Sequence, residues 1–255
     1  VIGYDILKEF SAIQIDYDSN MIRFASSEKY EPNESVLVGK TKIIEKKNIG
    51  LVVEGNFFGK PLMYWTIKSL KESTIIKDIY ISSESDQILR YAKKYKINCI
   101  KRPKYLTNPK SQSEDSILHS IKNIKSDFDY IVFPQVTSPL RPKKIFDKSL
   151  KYFFNKKFDS LFSSNIPSKI FLWSEKKSLK PHYDINKRPM RQEIKKIYME
   201  NGSFYIFKKK GFIKFKNRLF GRVGTFVIDK SYSYDIDEEI DFKINEIVKK
   251  KLRNK

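Results

Sequence analysis

From about residue 35 onward, the sequence alternates between short apolar runs and amphipathic segments. The apolar runs have the length and composition of buried strands, and the amphipathic segments have helical spacing. Strands are predicted at 35–38, 79–81, 97–100, 130–133 and 160–163, and helices from Pro61, from about 84 to 96, from Glu114 and from about 142 to 154. Strands and helices that alternate at this pace predict an α/β fold with a mostly parallel central sheet covered on both faces.

The charge balance of the chain is strongly basic. It has 51 Lys and Arg against 30 Asp and Glu, which gives a formal net charge of +21. Such a charge attracts polyanions, including nucleic acid, anionic membrane surfaces and nucleotides. The basic residues are spread along the whole chain, however, and a general bias toward lysine accounts for them equally well. We favour the compositional explanation and predict neither a nucleic-acid nor a membrane partner.

Cysteine usage and hydropathy bear on the cellular location. Cys99 is the single cysteine, so the chain cannot form an internal disulfide, which is typical of a reducing compartment. No apolar run approaches the roughly 20 residues that span a bilayer, and no signal peptide is visible. We therefore expect a cytoplasmic protein.

Residues 1–33 differ in pattern from the rest and are predicted to form a separate appendage of unknown role. Two apolar runs flank Asp18-Ser-Asn20, which predicts a hairpin with its turn at these polar residues. The piece weakly resembles the closing helix and hairpin of retropepsin-like aspartic proteases. The catalytic Asp-Thr/Ser-Gly motif of those proteases is missing from the sequence, so protease activity is not implied.

The polar segment after the predicted strand at 130–133 is a candidate ligand site. In open α/β sheets, ligands bind beyond the carboxyl ends of the strands. Gln135, Thr137, Ser138 and Arg141 follow this strand, and we expect them to project polar groups into the crevice, with Pro139 restricting the turn. An ordinary strand-to-helix loop capped by Ser138 explains the pattern equally well.

Two carboxylates one residue apart form a second candidate site. In an extended segment, Asp235 and Asp237 point to one side while Ile236 points to the other. Two oxygen donors on one side suit Mg²⁺, which binds one or two carboxylates together with substrate phosphates and water. Alternatively, the acidic run through Asp241 stabilises the dipole of the last helix, and taken alone this explanation is the better one.

The order of several short motifs resembles the acylneuraminate cytidylyltransferases, also called CMP-sialic acid synthetases, over roughly residues 45–250. The most specific motifs are Gln135-Val-Thr-Ser-Pro-Leu-Arg141, in which Val136 replaces the family's usual proline, and Asp235-Ile-Asp237. The others are Lys47-Asn48, Gly59-Lys-Pro-Leu62, Arg102-Pro103 with Ser113 and His119, Arg191-Gln192, and Asn201-Gly202 with Tyr205.

The resemblance implies a three-layer Rossmann-like nucleotidyltransferase fold over residues 34–255. It implies a Mg²⁺-dependent reaction of CTP with a nine-carbon 2-keto sugar acid, giving the CMP-sugar and pyrophosphate. It also implies a homodimer with a dimerisation arm at about 165–205. The site residues that it implies are Lys42, Lys47 and Asp237 for catalysis, Asp235 and Asp237 for the metal, Asn48, Arg102 and Ser113 for the nucleotide, and Gln135, Ser138, Arg191 and Tyr205 for the sugar acid.

The glycine-rich phosphate loop of the family is altered in this chain. The family pattern Arg-x-Gly-Ser-Lys-Gly corresponds to residues 38–43, where Thr41 and Lys42 stand for the Ser and Lys, but Val38 replaces the Arg and Ile43 the last Gly. A β-branched residue is a poor substitute where the backbone must bend toward a phosphate. Two alternatives to an active cytidylyltransferase therefore stay open: an impaired relative that binds nucleotide or sugar, and, less favoured, a basic nucleic-acid-binding protein.

Overall fold

The computed structural model describes residues 57–107, 111–167, 171–175, 178–193 and 196–253, together with the backbone of 12–16 and 21–25. The chain divides into two compact units, Val1–Leu51 and Val52–Lys255. The predicted strand at 35–38, the altered phosphate loop and the predicted site residues Lys42, Lys47 and Asn48 lie outside the described residues.

The first unit contains the predicted hairpin. Strands β1 (Ala12–Asp16) and β2 (Met21–Ala25) pair antiparallel, with Ala12 opposite Ala25 and Asp16 opposite Met21. The hairpin prediction is confirmed for these two strands, whereas the predicted turn at 18–20 lies outside the described residues.

The second unit alternates between strands and helices. Its strands are β3 (Tyr80–Ser83), β4 (Asn98–Lys101), β5 (Tyr130–Pro134), β6 (Ser160–Asn165), β7 (Trp173–Glu175), β8 (Leu179–Pro181), β9 (Met199–Lys208) and β10 (Val223–Val227). Its helices are α1 (Leu62–Lys71), α2 (Asp86–Lys93), α3 (Ser113–Asn123), α4 (Ile145–Asn155), α5 (Lys209–Phe215) and α6 (Glu239–Arg253). Helices α1 to α4 and strands β3 to β6 occupy the segments that the sequence pattern predicts.

The largest described sheet has the strand order β10-β6-β9-β5 and is mixed. Strand β10 runs parallel to β6, but β9 runs antiparallel to both β6 and β5. A separate pair, β3 and β4, is parallel and is connected through α2. The α/β prediction is confirmed. Strand β9 follows a long connection from β6, and the described part of that connection contains no α-helix. Two neighbouring parallel strands commonly need a helical crossover between them, so the antiparallel direction of β9 fits this connection.

Strand β9 divides the core into two layers, because successive side chains of a strand point to opposite faces. Phe204 and Ile206 pack on one face against residues of α1 and α4, including Leu70, Phe146, Leu150 and Phe153. Tyr205 and Phe207 pack on the other face against α3 and α5, including Ile117 and Phe212. The sheet is therefore covered on both faces, as the sequence predicts.

The described part of the segment predicted as an irregular arm contains a short hairpin, a 3-10 helix (Arg191–Glu193) and the start of β9. Strands β7 and β8 form a short antiparallel hairpin, with Trp173 opposite Pro181 and Glu175 opposite Leu179. Several large apolar side chains of this segment are exposed. Within the described part of the chain, none of the helices combines the length and apolar character needed to cross a bilayer.

Candidate functional site

Arg141 anchors the loop after β5 to the protein interior. Its Nη2 donates to the carbonyl oxygens of Gln135 at 2.6 Å and of Ser203 at 2.9 Å, and its Nη1 donates to Thr66 Oγ1 at 3.1 Å. The expectation that Arg141 projects into the crevice is therefore wrong, because these two carbonyl groups bind its guanidinium inside the fold. Burial lowers the pKa of Arg141 to about 9, although the Asp235 carboxylate opposes this change, so the side chain is charged at neutral pH.

A bulge in β9 faces this loop. Tyr205 pairs with Phe162 and Glu200 with Ser164, so residues 201–204 lie opposite a single residue of β6, Ser163. The Ser163 hydroxyl donates to Asn201 Oδ1 at 2.7 Å and accepts from the backbone N–H of Phe204 at 2.9 Å, which fixes the shape of the bulge. Bulges of this kind commonly re-aim side chains and backbone beside active sites.

Gly202 lies at the closest approach between the bulge and two predicted site residues. Its φ of +66° is a conformation that glycine adopts without strain. A Cβ atom at this position would lie 2.9 Å from Gln135 Oε1 and 3.6 Å from Asp235 Oδ2. The side chains of Gln135 and Asp235, which are separated by about a hundred residues in the sequence, therefore meet at this glycine.

Hydrogen bonds join the segment that carries Asp235 to the loop after β5. The Ser138 hydroxyl donates to Asp235 Oδ1 at 3.2 Å, and the backbone N–H of Ile236 donates to the Thr137 carbonyl at 2.9 Å. Ile236 is fully buried between the two acidic residues. Ser138, predicted as a substrate contact, is itself only 2% exposed and directs its hydroxyl to Asp235.

Asp237 carries a perturbed carboxyl group. The largest cause of its raised pKa is burial of the carboxyl group, and the negative charges of Asp235, Asp241 and Glu238 raise the pKa further. Asp241 has a different function, because its Oδ2 accepts from the backbone N–H groups of Asp237 at 2.9 Å and Glu238 at 2.8 Å, at the start of α6. The helix-dipole explanation thus holds for Asp241, whereas Asp235 faces the site.

Arg102 lies beyond the end of β4, beside the first turn of α3. Its Nη2 forms an ion pair with Glu84 Oε2 at 2.6 Å, and its Nη1 donates to Ser116 Oγ at 3.1 Å. Burial alone would raise the pKa of Glu84, but the hydrogen bond and charge of Arg102 bring it below its usual value. Ser113 begins the same helix turn, so Arg102 and Ser113, both predicted nucleotide contacts, lie at one end of α3.

Tyr205 is buried on the α3 side of the sheet. Its hydroxyl donates to Glu200, and the guanidinium of Arg218 lies 4.8 Å from the centre of its ring. Burial and the neighbouring Glu200 raise the pKa of Tyr205, which keeps the phenol protonated. Glu200 and Arg218 were not singled out from the sequence, since both are charged residues in a chain that has many.

Arg191 is one predicted site residue that has no described contact with this group. It lies in a short 3-10 helix, Arg191–Glu193, between β8 and β9, and it is exposed. Within the described ranges, none of the hydrogen bonds or ion pairs joins it to Gln135 or Asp235.

The donor set at residues 235–237 fits a partly protein-bound Mg²⁺. The described residues contain no group of three or more His, Cys, Asp and Glu side chains that could hold a metal. Mg²⁺ typically keeps several waters and binds one or two carboxylates plus substrate phosphates, which Asp235 and Asp237 satisfy. The raised pKa of Asp237 reflects in part repulsion from Asp235, and a bound cation would relieve this repulsion.

Comparison with known protein families gives a match over most of the chain. The family described as "Cytidylyltransferase" matches residues 45–252. The match includes the loop after β5, the bulge in β9 and the Asp235–Asp237 segment, which are the parts that form the site.

Curated relatives are about a quarter identical to this chain over the aligned residues. N-acylneuraminate cytidylyltransferase of Escherichia coli is 27% identical over 84% of this chain, which spans only 51% of that protein's length. Post-translational flagellin modification protein B of Campylobacter coli is 27% identical over 82% of this chain and 91% of the relative. Pseudaminic acid cytidylyltransferase of Campylobacter jejuni is 24% identical over 83% of this chain and 93% of the relative.

Two solved structures share the fold. A 4-diphosphocytidyl-2C-methyl-D-erythritol synthase from Anaerococcus prevotii is 12% identical, with a TM-score of 0.57 over 78% of this chain and 93% of its own. A CMP:2-keto-3-deoxy-manno-octonic acid synthetase in complex with CTP is 8% identical, with a TM-score of 0.55 over 79% of this chain and 93% of its own.

Proposed function

Because this chain belongs to the cytidylyltransferase family, we propose that it transfers CMP from CTP to a nonulosonic (sialic-type) sugar acid and releases pyrophosphate. The observation that carries the proposal is the meeting of Asp235 and Gln135 at Gly202, with Ser138 holding the Asp235 carboxylate. The names of the relatives, which include acylneuraminate and pseudaminic acid cytidylyltransferases, support the choice of sugar acid.

In the proposed reaction, the anomeric hydroxyl oxygen of the sugar acid attacks the α-phosphorus of CTP. The bond between the α-phosphorus and the oxygen that bridges to the β-phosphate breaks, pyrophosphate leaves with that electron pair, and the hydroxyl proton is released. Asp235 and Asp237 would hold Mg²⁺, which would stabilise the charge that develops on the pyrophosphate. Lys42 and Lys47 would add positive charge at the phosphates.

The remaining site residues divide between the two substrates in this proposal. Arg102 and Ser113, at one end of α3, would contact the cytidine nucleotide together with Asn48. Gln135 would bind the sugar acid near Gly202, and Arg191 would pair with the sugar carboxylate. Tyr205 would line the sugar-acid part of the site. For Ser138, the hydrogen bond to Asp235 favours positioning the metal-binding carboxylate over touching the substrate. The cytoplasmic location stays a prediction.

A pyrophosphate-release assay tests the proposal. We expect release that requires CTP, Mg²⁺ and a nonulosonic acid together, measured against a panel of neuraminic, legionaminic and pseudaminic acids. Reactions that omit each component are the controls. Absence of turnover with every acid, while CTP still binds, would reject an active enzyme and favour the impaired relative.

The altered phosphate loop makes that impaired relative a specific second candidate. Val38 and Ile43 replace the Arg and Gly of the family loop. If the loop is the defect, V38R combined with I43G restores turnover in the same assay.

We also propose that the chain forms a homodimer through the segment between β6 and β9. At least six large apolar side chains there are exposed, and such a concentration is unusual for a monomer surface: Ile166, Trp173, Leu179, Ile185, Met190 and Tyr198. Light scattering coupled to size exclusion should give twice the chain mass for the wild type. We expect L179K combined with I185K to give a monomer. I213K, at an exposed position of α5, is the control that should stay dimeric.

A further inference from the structure

Arg218 makes several contacts on the α3 side of the sheet, and it has no role in the reaction proposed above. Its Nε donates to Glu114 Oε1 at 2.7 Å, and its guanidinium lies 4.8 Å from the ring centre of Tyr205 and 5.5 Å from that of Phe133. The side chains of Arg218 and Glu114 are only 18% and 15% exposed. This ion pair therefore forms at the edge of the hydrophobic layer that contains Tyr205.

An ion pair that is largely removed from water is a costly way to stabilise a fold. Removing two charges from water costs several kcal/mol, and apolar residues of similar size often stabilise as well or better. Arginine also has the planar geometry to bind a carboxylate and stack on a ring at the same time. The pair is thus better explained by the geometry that it imposes on its neighbours than by its contribution to stability.

The contacts continue from Arg218 to the bulge in β9. Arg218 packs on the ring of Tyr205, and the Tyr205 hydroxyl donates to Glu200, the residue immediately before Asn201 and Gly202. In the other direction, Glu114 is the neighbour of Ser113 in the first turn of α3. One chain of contacts therefore connects the end of α3 with the residues that approach Gln135 and Asp235.

We propose that Arg218 is a positioning residue for the sugar-acid subsite. Paired with Glu114 and stacked on Tyr205 and Phe133, it holds the Tyr205 ring in place, and the Tyr205 hydroxyl in turn holds Glu200 beside the bulge. The inference rests on the proposed function and deepens it. It states that Arg218 shapes the sugar-acid part of the site without touching the substrate.

Steady-state kinetics of R218M test this role. We expect the KM for the sugar acid to rise about tenfold or more, since small displacements of positioning groups have large effects, while the KM for CTP changes less than about threefold. R218K should recover part of the loss, because it keeps the charge but not the planar fork. R222M is the matched control, since Arg222 is exposed and stacks on Phe158 instead.

Y205F keeps the test decisive if R218M does not fold. This variant retains the ring beneath Arg218 and removes only the hydroxyl that binds Glu200, so we expect a selective rise in the KM for the sugar acid. Equal rises in both KM values, or no change in either, would overturn the inference.

The inference and the proposed function can fail separately. If the wild type turns over and the KM for the sugar acid is unchanged in R218M and Y205F, the inference alone fails. If the wild type does not turn over, calorimetry with the sugar acids replaces the kinetics. Binding about tenfold weaker in R218M then supports the inference, equal binding overturns it, and no binding by the wild type overturns both.

Discussion

Replacing Asp237 by Asn is expected to lower kcat/KM by about 100-fold or more, the magnitude typical of losing one electrostatic contact at a reacting phosphate. The same change should raise the melting temperature of the metal-free protein. The two effects have one cause, since the Asp237 carboxylate loses part of its hydration and is ionised next to Asp235, Asp241 and Glu238, although the residue as a whole is exposed. This arrangement is unfavourable without a cation and useful with one.

The direction of the stability change follows from the raised pKa of Asp237. A carboxyl group with a higher pKa in the folded state keeps its proton at a higher pH there than in the unfolded chain. The ionised carboxylate therefore lowers the free energy of unfolding at neutral pH, and this penalty disappears as the pH falls through the raised pKa. D237N should be more stable than the wild type at pH 7 and should lose that advantage in acid.

Thermal unfolding with and without MgCl₂ measures this effect. We expect Mg²⁺ to raise the melting temperature of the wild type and to have little effect on D237N, because ligands stabilise only the state that binds them. E238Q is the matched control: it removes only the smallest of the repulsions on Asp237, so its melting temperature should still rise with Mg²⁺. A D237N protein that keeps Mg²⁺-dependent turnover would refute the assignment of Asp237 to the metal.

Replacing Arg141 by Met is expected to lower the free energy of unfolding by about 3 kcal/mol, because two carbonyl groups each lose a hydrogen bond to a charged donor, worth about 1.5–3 kcal/mol, and keep only a backbone donor. These groups belong to Gln135 and Ser203, so the loop after β5 and the bulge in β9 should be held together less firmly, by the backbone hydrogen bond from Gln135 to Ser203. Turnover should fall together with stability, since Gln135 would lose its position beside Gly202.

Chemical denaturation monitored by tryptophan fluorescence gives the free energy of unfolding. R141K should lie between the wild type and R141M, because a lysine keeps the charge but cannot bond two carbonyl groups and Thr66 in the geometry of a guanidinium. K143M is the control, since Lys143 is exposed in the same loop. An R141M protein within about 0.5 kcal/mol of the wild type, the range of ordinary surface changes, would contradict this role.

Eight helices and strands of the second unit were predictable because their signals are local, whereas β7 to β10 and α5 were not predicted. Apolar spacing indicated α1 to α4 and β3 to β6, and a proline marked the start of α1. The order of motifs also indicated that Gln135 and Asp235 belong to one site. The antiparallel direction of β9 was not predictable, because strand direction depends on how the preceding connection crosses the sheet.

The orientation of individual polar side chains could not be read from the sequence. Arg141 was expected to face the crevice, but it turns inward, because the carbonyl groups of Gln135 and Ser203 converge behind the loop. Glu114 and Arg218 are 104 residues apart, and each resembles many other charged residues of the chain. The amino-acid order thus specified the local elements and the family, through short-range periodicity and motifs. Which charges became partners depended on distant segments packing together, since burial and pairing energies exist only after the sheet and its two helical layers have formed.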